Sequence, residues 1–141
     1  MKKHARVLAI DYGRARTGAA VGDPTGTIVR PLEEIDEART PEGLKKIAAM
    51  AIREEAGLVV VGMPVSLNGT RGDQAQETDE FIRELSAALP VPVIAFDERF
   101  TSKIARARGR TSGASPHSIA ACVLLEDFLG SEEYRSRGLD R

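Results

Sequence analysis

VLAIDYGRARTGAAVGD, residues 7–23, decides the architecture. Its opening VLAI (7–10) is a short apolar run that stops at Asp11, which is the length and composition of a buried strand. TGAAVGD (17–23) is a second strand. DPTGT (23–27) then turns the chain into a third, IVRPLEEI (28–35), because Gly and Pro at these points punctuate hairpins. Three consecutive strands joined this tightly run antiparallel.

Beyond them the apolar period lengthens. Thr40 caps a helix with Pro41 at its first position, and Leu44, Ile47, Ala48, Ala51 and Ile52 form one stripe that runs until Gly57. LVVVGMP (58–64) is a fourth strand, apolar on both faces. VSLNGTRGD (65–73) leads to a helix striped by Phe81, Ile82, Leu85 and Leu89, and VPVIAF (91–96) is the fifth strand. A last helix opens with Ser115 as N-cap and Pro116 in its first turn. The order βββαβαβα predicts an α/β domain: a five-stranded mixed sheet of ribonuclease H-like order, its later strands parallel to the first and its helices on both faces. The domain spans 1–130, and SEEYRSRGLDR (131–141), of mixed charge with little to bury, is expected to be a mobile tail.

In such sheets, sites form beyond the carboxyl ends of parallel strands. Asp11 ends the first strand; Asp97 and Glu98 end the fifth. An acid after an apolar strand is costly unless solvated, paired or metal-bound, so these three are the leading candidates for chemistry.

Composition narrows the partners. Aromatic residues make up 4% of the 141-residue chain and Trp is absent, which restricts base stacking. The net charge of -1 conceals a basic stretch, RFTSKIARARGR (99–110), with five Lys or Arg and no acid, suited to phosphates. The single cysteine, Cys122, falls within the last apolar helix and is expected to be a buried side chain in a reducing cytoplasm. The opening MKKHARVLAI is too short in its apolar part for a signal peptide or membrane span. No membrane role is expected.

Four segments in order, AIDYGRARTGAAVGD, VVVGMPVSLNGTRGDQAQ, VIAFDERFTS and SIAACVLLEDFL, resemble the successive motifs of the YqgF family, also called RuvX, over about residues 6 to 129. The resemblance implies a ribonuclease H-like fold and a divalent-metal-dependent nuclease that matures the 5′ end of 16S ribosomal RNA precursor in the bacterial cytoplasm. RNA, carried on pre-ribosomal particles, is then a better expected partner than DNA. Junction resolution is the older reading and rests on fold analogy.

Phosphodiester hydrolysis by two divalent ions explains why carboxylates should gather. Asp11 and Glu98 are the expected ligands, with Asp97 in support; the alternative is that Asp97 or Glu98 simply pairs with Arg99 on the surface. The departure comes at the last helix. Where the family pattern has a carboxylate before the "AA" step, this chain has His117; Glu126 and Asp127 lie roughly 15 Å further along and cannot replace it. Either His117 supplies a nitrogen ligand, or the site runs on two carboxylates, or cleavage is lost. Imidazole is softer than carboxylate, so ligation by His117 would tilt the metal from Mg²⁺ toward Mn²⁺.

Around these, Gly13 and Gly18 are expected to tighten the turn beside Asp11, and Arg14 and Arg16 to meet substrate phosphates. Gly62, Pro64, Asn68 and Gly69 shape the fourth-strand exit, with Asn68 placed for substrate. Thr101 and Ser102 cap the segment after Glu98 and are placed to bond a phosphate. Arg99, Lys103, Arg106, Arg108 and Arg110 carry the basic charge toward substrate. Two other classes fit part of the pattern. DYGRARTG matches the phosphate turn of the actin and hexokinase ATPases, which close two such domains over ATP, and the missing carboxylate suits a silent RNA- or protein-binding module.

Overall fold

A computed structural model of the chain describes residues 6–64, 72–97 and 115–137. Strands β1 (Arg6–Asp11), β2 (Arg16–Gly22) and β3 (Val29–Pro31) form an antiparallel meander, followed by a two-residue strand β4 (Ile35–Asp36). Helix α1 (Pro41–Arg53), strand β5 (Ala56–Met63), helix α2 (Asp73–Ala88) and strand β6 (Val93–Asp97) come next, and then helices α3 (Pro116–Leu129) and α4 (Glu132–Ser136). The sheet order is β3-β2-β1-β5-β6, with β4 beside β2; β5 and β6 run parallel to β1.

Strand alternation divides the core in two. Leu8, Ile10, Ala19, Val21, Val59 and Val61 face α1 and α2, where they meet Ile47, Met50, Phe81 and Leu85. Val7, Ala9, Ala20, Leu58 and Val60 face α3 and meet Ala121, Cys122, Leu125 and Phe128. Because helices cover both faces, β1 and β5 are apolar at consecutive positions. The expected caps form: Gly43 N–H donates to Thr40 Oγ1 at 3.0 Å, and Ser118 N–H to Ser115 Oγ at 3.1 Å. Cys122 is buried. Among the described residues, no helix is long and apolar enough to cross a membrane.

Four local expectations are corrected. The third strand breaks into β3 and β4, because Pro31 has no N–H to give and the Leu32 carbonyl is taken by the Ser118 hydroxyl at 2.7 Å rather than by a strand. Helix α1 stops at Arg53, with Glu55 in the left-handed region (φ 58) making the turn, so Gly57 lies inside β5. Ile52 is 70% exposed and Met50 is buried in its place, since one step of 100° carries residue 52 off the stripe of Ile47 and Ala51. Finally, residues 132–136 of the expected tail are helical, and Tyr134 is only 4% exposed, edge-on to Phe128 at 5.6 Å. That ring finds the apolar end of α3, which composition could not reveal.

Candidate active site

Asp11 is the last residue of β1 and pairs across the antiparallel ladder with Gly18. Paired residues point to the same face, and alternation from Val7 and Ala9 puts both on the side of α3. Gly18 therefore belongs to β2, not to the turn as expected, and its missing side chain has a specific use. A Cβ there would overlap the carbonyl of His117 and lie 2.6 Å from the Ser118 nitrogen. The first turn of α3 is thus pressed onto the strand opposite Asp11, an approach only glycine allows.

Ser118 locks that approach. Its buried hydroxyl donates to the Leu32 carbonyl at 2.7 Å and accepts from the Ala19 N–H at 3.4 Å, at the break between β3 and β4. Asp11 and the exposed His117 are in this way brought to one end and one face of the sheet. The turn between β1 and β2 is set by Thr17, whose buried hydroxyl donates to the Gly13 carbonyl and accepts the Gly13 N–H, both at 3.2 Å. Gly13 is required there, since a Cβ would strike the Arg16 carbonyl.

Asp97 does not converge with them. Ile10, Val61 and Ala95 lie in register, so Phe96 shares the α3 face while Asp97, beside Met63, alternates to the α1 and α2 side. Glu98, Asn68, Arg99, Thr101, Ser102, Lys103, Arg106, Arg108 and Arg110 lie outside the described residues. Among the described residues, no group of three or more His, Cys, Asp and Glu is gathered to hold a metal. On the α3 face the donors at hand are the Asp11 carboxylate and the His117 imidazole, a mixed oxygen and nitrogen set that suits a divalent transition ion but is incomplete by itself.

The other side of the strand end holds a cleft of about 430 Å³ lined by Tyr12, Gly13, Arg14, Asp73, Gln74 and Glu77. Tyr12 stacks on Phe81 at 4.6 Å and donates to Glu77 Oε2 at 3.2 Å. Burial, reinforced by the Glu77 charge, raises the Tyr12 phenol above its ordinary pKa, so it remains a donor. Arg14 Nε donates to both Glu77 oxygens, at 2.8 and 3.1 Å, and this bond chiefly holds the Glu77 carboxyl below its ordinary pKa. Arg39 grips Glu84 with two bonds of 2.9 and 2.7 Å. Arg16 lies 4.0 Å from Glu34. Both arginines expected at substrate phosphates thus have carboxylate partners in the protein.

Comparison with known proteins agrees with this topology. The RuvX family profile, described as Holliday junction resolvase, matches residues 5–131. The chain belongs to the RuvX family. A Thermobifida fusca protein named "Putative pre-16S rRNA nuclease" is 39% identical over 140 residues, covering 89% of this chain and 87% of its own. A Chloroflexus aurantiacus protein of the same name is 35% identical over 130 residues, covering 87% and 85%. Among solved structures, T. thermophilus RuvC in complex with a Holliday junction substrate superposes with a TM-score of 0.52 at 18% identity, over 90% of this chain and 97% of that one. Fowlpox virus resolvase bound to junction DNA gives 0.52 at 14% identity, over 94% and 98%. At these identities the likeness establishes the fold, which is ribonuclease H-like.

Of the residues the sequence pointed to, Asp11 and the start of α3 lie at one end and one face of the sheet. The sequence did not reveal Ser118, Thr17 or Glu77. Ser118 reads as an ordinary residue after a cap, and Glu77 as one more acid on the wet face of an amphipathic helix.

Proposed function

We propose that this chain is a divalent-metal-dependent nuclease that hydrolyses phosphodiester bonds in RNA, in 5′-end processing of 16S ribosomal RNA precursor in the cytoplasm. The observation that carries the reading is the junction of Asp11, Gly18 and the first turn of α3, in a chain of the RuvX family. Asp11 and His117, with Glu98 from the strand-six exit, would hold the metal. Once bound, the ion would supply Lewis acidity and an activated water. Gly18 and Ser118 hold the helix start against the Asp11 strand, so the two donors keep a fixed separation without rearranging when substrate arrives. The hydrophobic floor beneath them, Ala9, Ala20 and Ala121, keeps water from that side and strengthens electrostatic interaction at the rim.

The test is cleavage of a precursor-like RNA, a single-stranded DNA and a four-way junction, each in Mg²⁺ and Mn²⁺. The expected result is RNA hydrolysis favoured by Mn²⁺ that falls by at least about 10²-fold in Asp11→Asn, Glu98→Gln and His117→Ala. Recovery of Mg²⁺ activity in His117→Asp would show that imidazole stands where a carboxylate would serve. Full activity in His117→Ala removes His117 from the site. Preference for the four-way junction would support the resolvase reading, which is motivated by the junction-bound structures that share the fold. RNA binding without cleavage in either metal would make the protein a binding module instead.

A further inference from the structure

The bond between Arg14 and Glu77 bears on how substrate is admitted. Arg14 lies in the turn three residues after Asp11, and its side chain is 78% exposed. Both bonds to Glu77 run through Nε, and Nη1 and Nη2 make none among the described residues. The guanidinium is held on the α2 side of the strand end, while Asp11 faces α3. Glu77 is itself fixed: Tyr12 donates to it, and Tyr12 is clamped by stacking on the fully buried Phe81. Two oxygens in one plane, offered to an arginine beside the site, are what a backbone phosphate would also offer.

We infer that Glu77 is an internal stand-in for a substrate phosphate: it parks Arg14 away from Asp11, and nucleic acid must displace it to engage that arginine. The inference rests on the nuclease reading above. Exchange is easy in both directions. An exposed pair is worth so little that phosphate can take its place, and Glu77 left behind keeps the Tyr12 bond and the field of Arg39. Glu77 is thus a positioning residue acting through Arg14, and it lowers affinity for every polyanion by the same factor.

The experiment is fluorescence anisotropy of a short labelled single-stranded RNA in EDTA across a range of salt, with the native protein, Glu77→Gln, Arg14→Ala and the double variant. An exposed ion pair biases its partners by at most about fivefold, so releasing Arg14 should tighten binding roughly two- to fivefold in Glu77→Gln. Arg14→Ala should weaken binding and flatten the dependence of log affinity on log salt by about 0.7, the loss of one phosphate contact. In the Arg14→Ala background, Glu77→Gln should then change affinity by less than about 1.5-fold. An equal gain in both backgrounds would mean that Glu77 acts only as a distant negative charge, and no gain would mean that Arg14 is never parked; either overturns the inference and leaves the nuclease reading standing. Failure of the native protein to bind RNA in any salt would overturn the inference, while the nuclease reading stands or falls on the cleavage assay in Mg²⁺ and Mn²⁺.

Discussion

Substituting Gly18 by alanine tests the central geometric claim. The new Cβ would overlap the His117 carbonyl and lie 2.6 Å from the Ser118 nitrogen, whereas ordinary contact begins at 3.4 Å, so the helix start must retreat by at least about 0.8 Å. That retreat strains a packed face and pulls Ser118 from the Leu32 carbonyl. Overpacking and a buried hydroxyl losing its partner together should cost about 2–4 kcal/mol. A donor displaced by nearly 1 Å should lower the cleavage rate by about 10- to 100-fold at temperatures where both proteins are folded. Gly22 provides the control, lying in the same strand and on the same face, with its added Cβ 3.6 Å from Leu129 Cδ1, an ordinary contact. Urea unfolding followed by circular dichroism measures the first effect, and RNA cleavage under the same buffer the second. If Gly18→Ala behaves like Gly22→Ala in both assays, the docking of α3 on glycine does not position the site.

Tyr134→Ala should destabilise the domain by about 2–4 kcal/mol in urea unfolding, because it empties a space against Phe128; a loss near zero would return this segment to a mobile tail. Ser118→Ala should cost about 1–3 kcal/mol by leaving the Leu32 carbonyl without its donor, and should lower cleavage more than substrate binding; an unchanged cleavage rate would refute the locking role. Asp23 accepts the Ile28 and Thr27 N–H groups and the Thr25 hydroxyl, which hold its carboxyl at about 2 against an ordinary 3.8. Its folded pKa is depressed, so its contribution is complete above about pH 4 and is lost as pH falls toward about 2. The gap in thermal midpoint between the native protein and Asp23→Asn should therefore close across that window, and a gap constant with pH would refute the assignment.

Much of the fold was legible because its signals are local. VLAI and LVVV are apolar at every position and so must be covered on both faces, while Thr40–Pro41 and Ser115–Pro116 announce helix starts within a few residues. The misread positions depend on partners far along the chain. Gly18 resembled turn punctuation until α3 supplied the atoms that exclude a side chain. Tyr134 looked like a lone aromatic in charged surroundings until Phe128 was placed beside it. Asp97 shared the promise of a strand-end acid, but a one-residue alternation decides which face it serves, and periodicity could not anchor that count at the end of a strand. Arg14 was read as a phosphate contact beside Asp11, and the carboxylate that holds it, Glu77, is 63 residues away.

The Ser118 lock also sets a timetable. Its bond to the Ala19 N–H closes a loop of 99 residues, and its bond to the Leu32 carbonyl one of 86. The β1–β2 hairpin bearing Asp11 can form early from neighbours in sequence, whereas α3 can dock only after the parallel strands between have been laid down, the slow, high-contact-order part of folding. During synthesis the early half of the site therefore waits for the late one. If the proposed site is the working one, a protein whose donors meet only across the length of the chain stays inert toward its substrate until folding is finished.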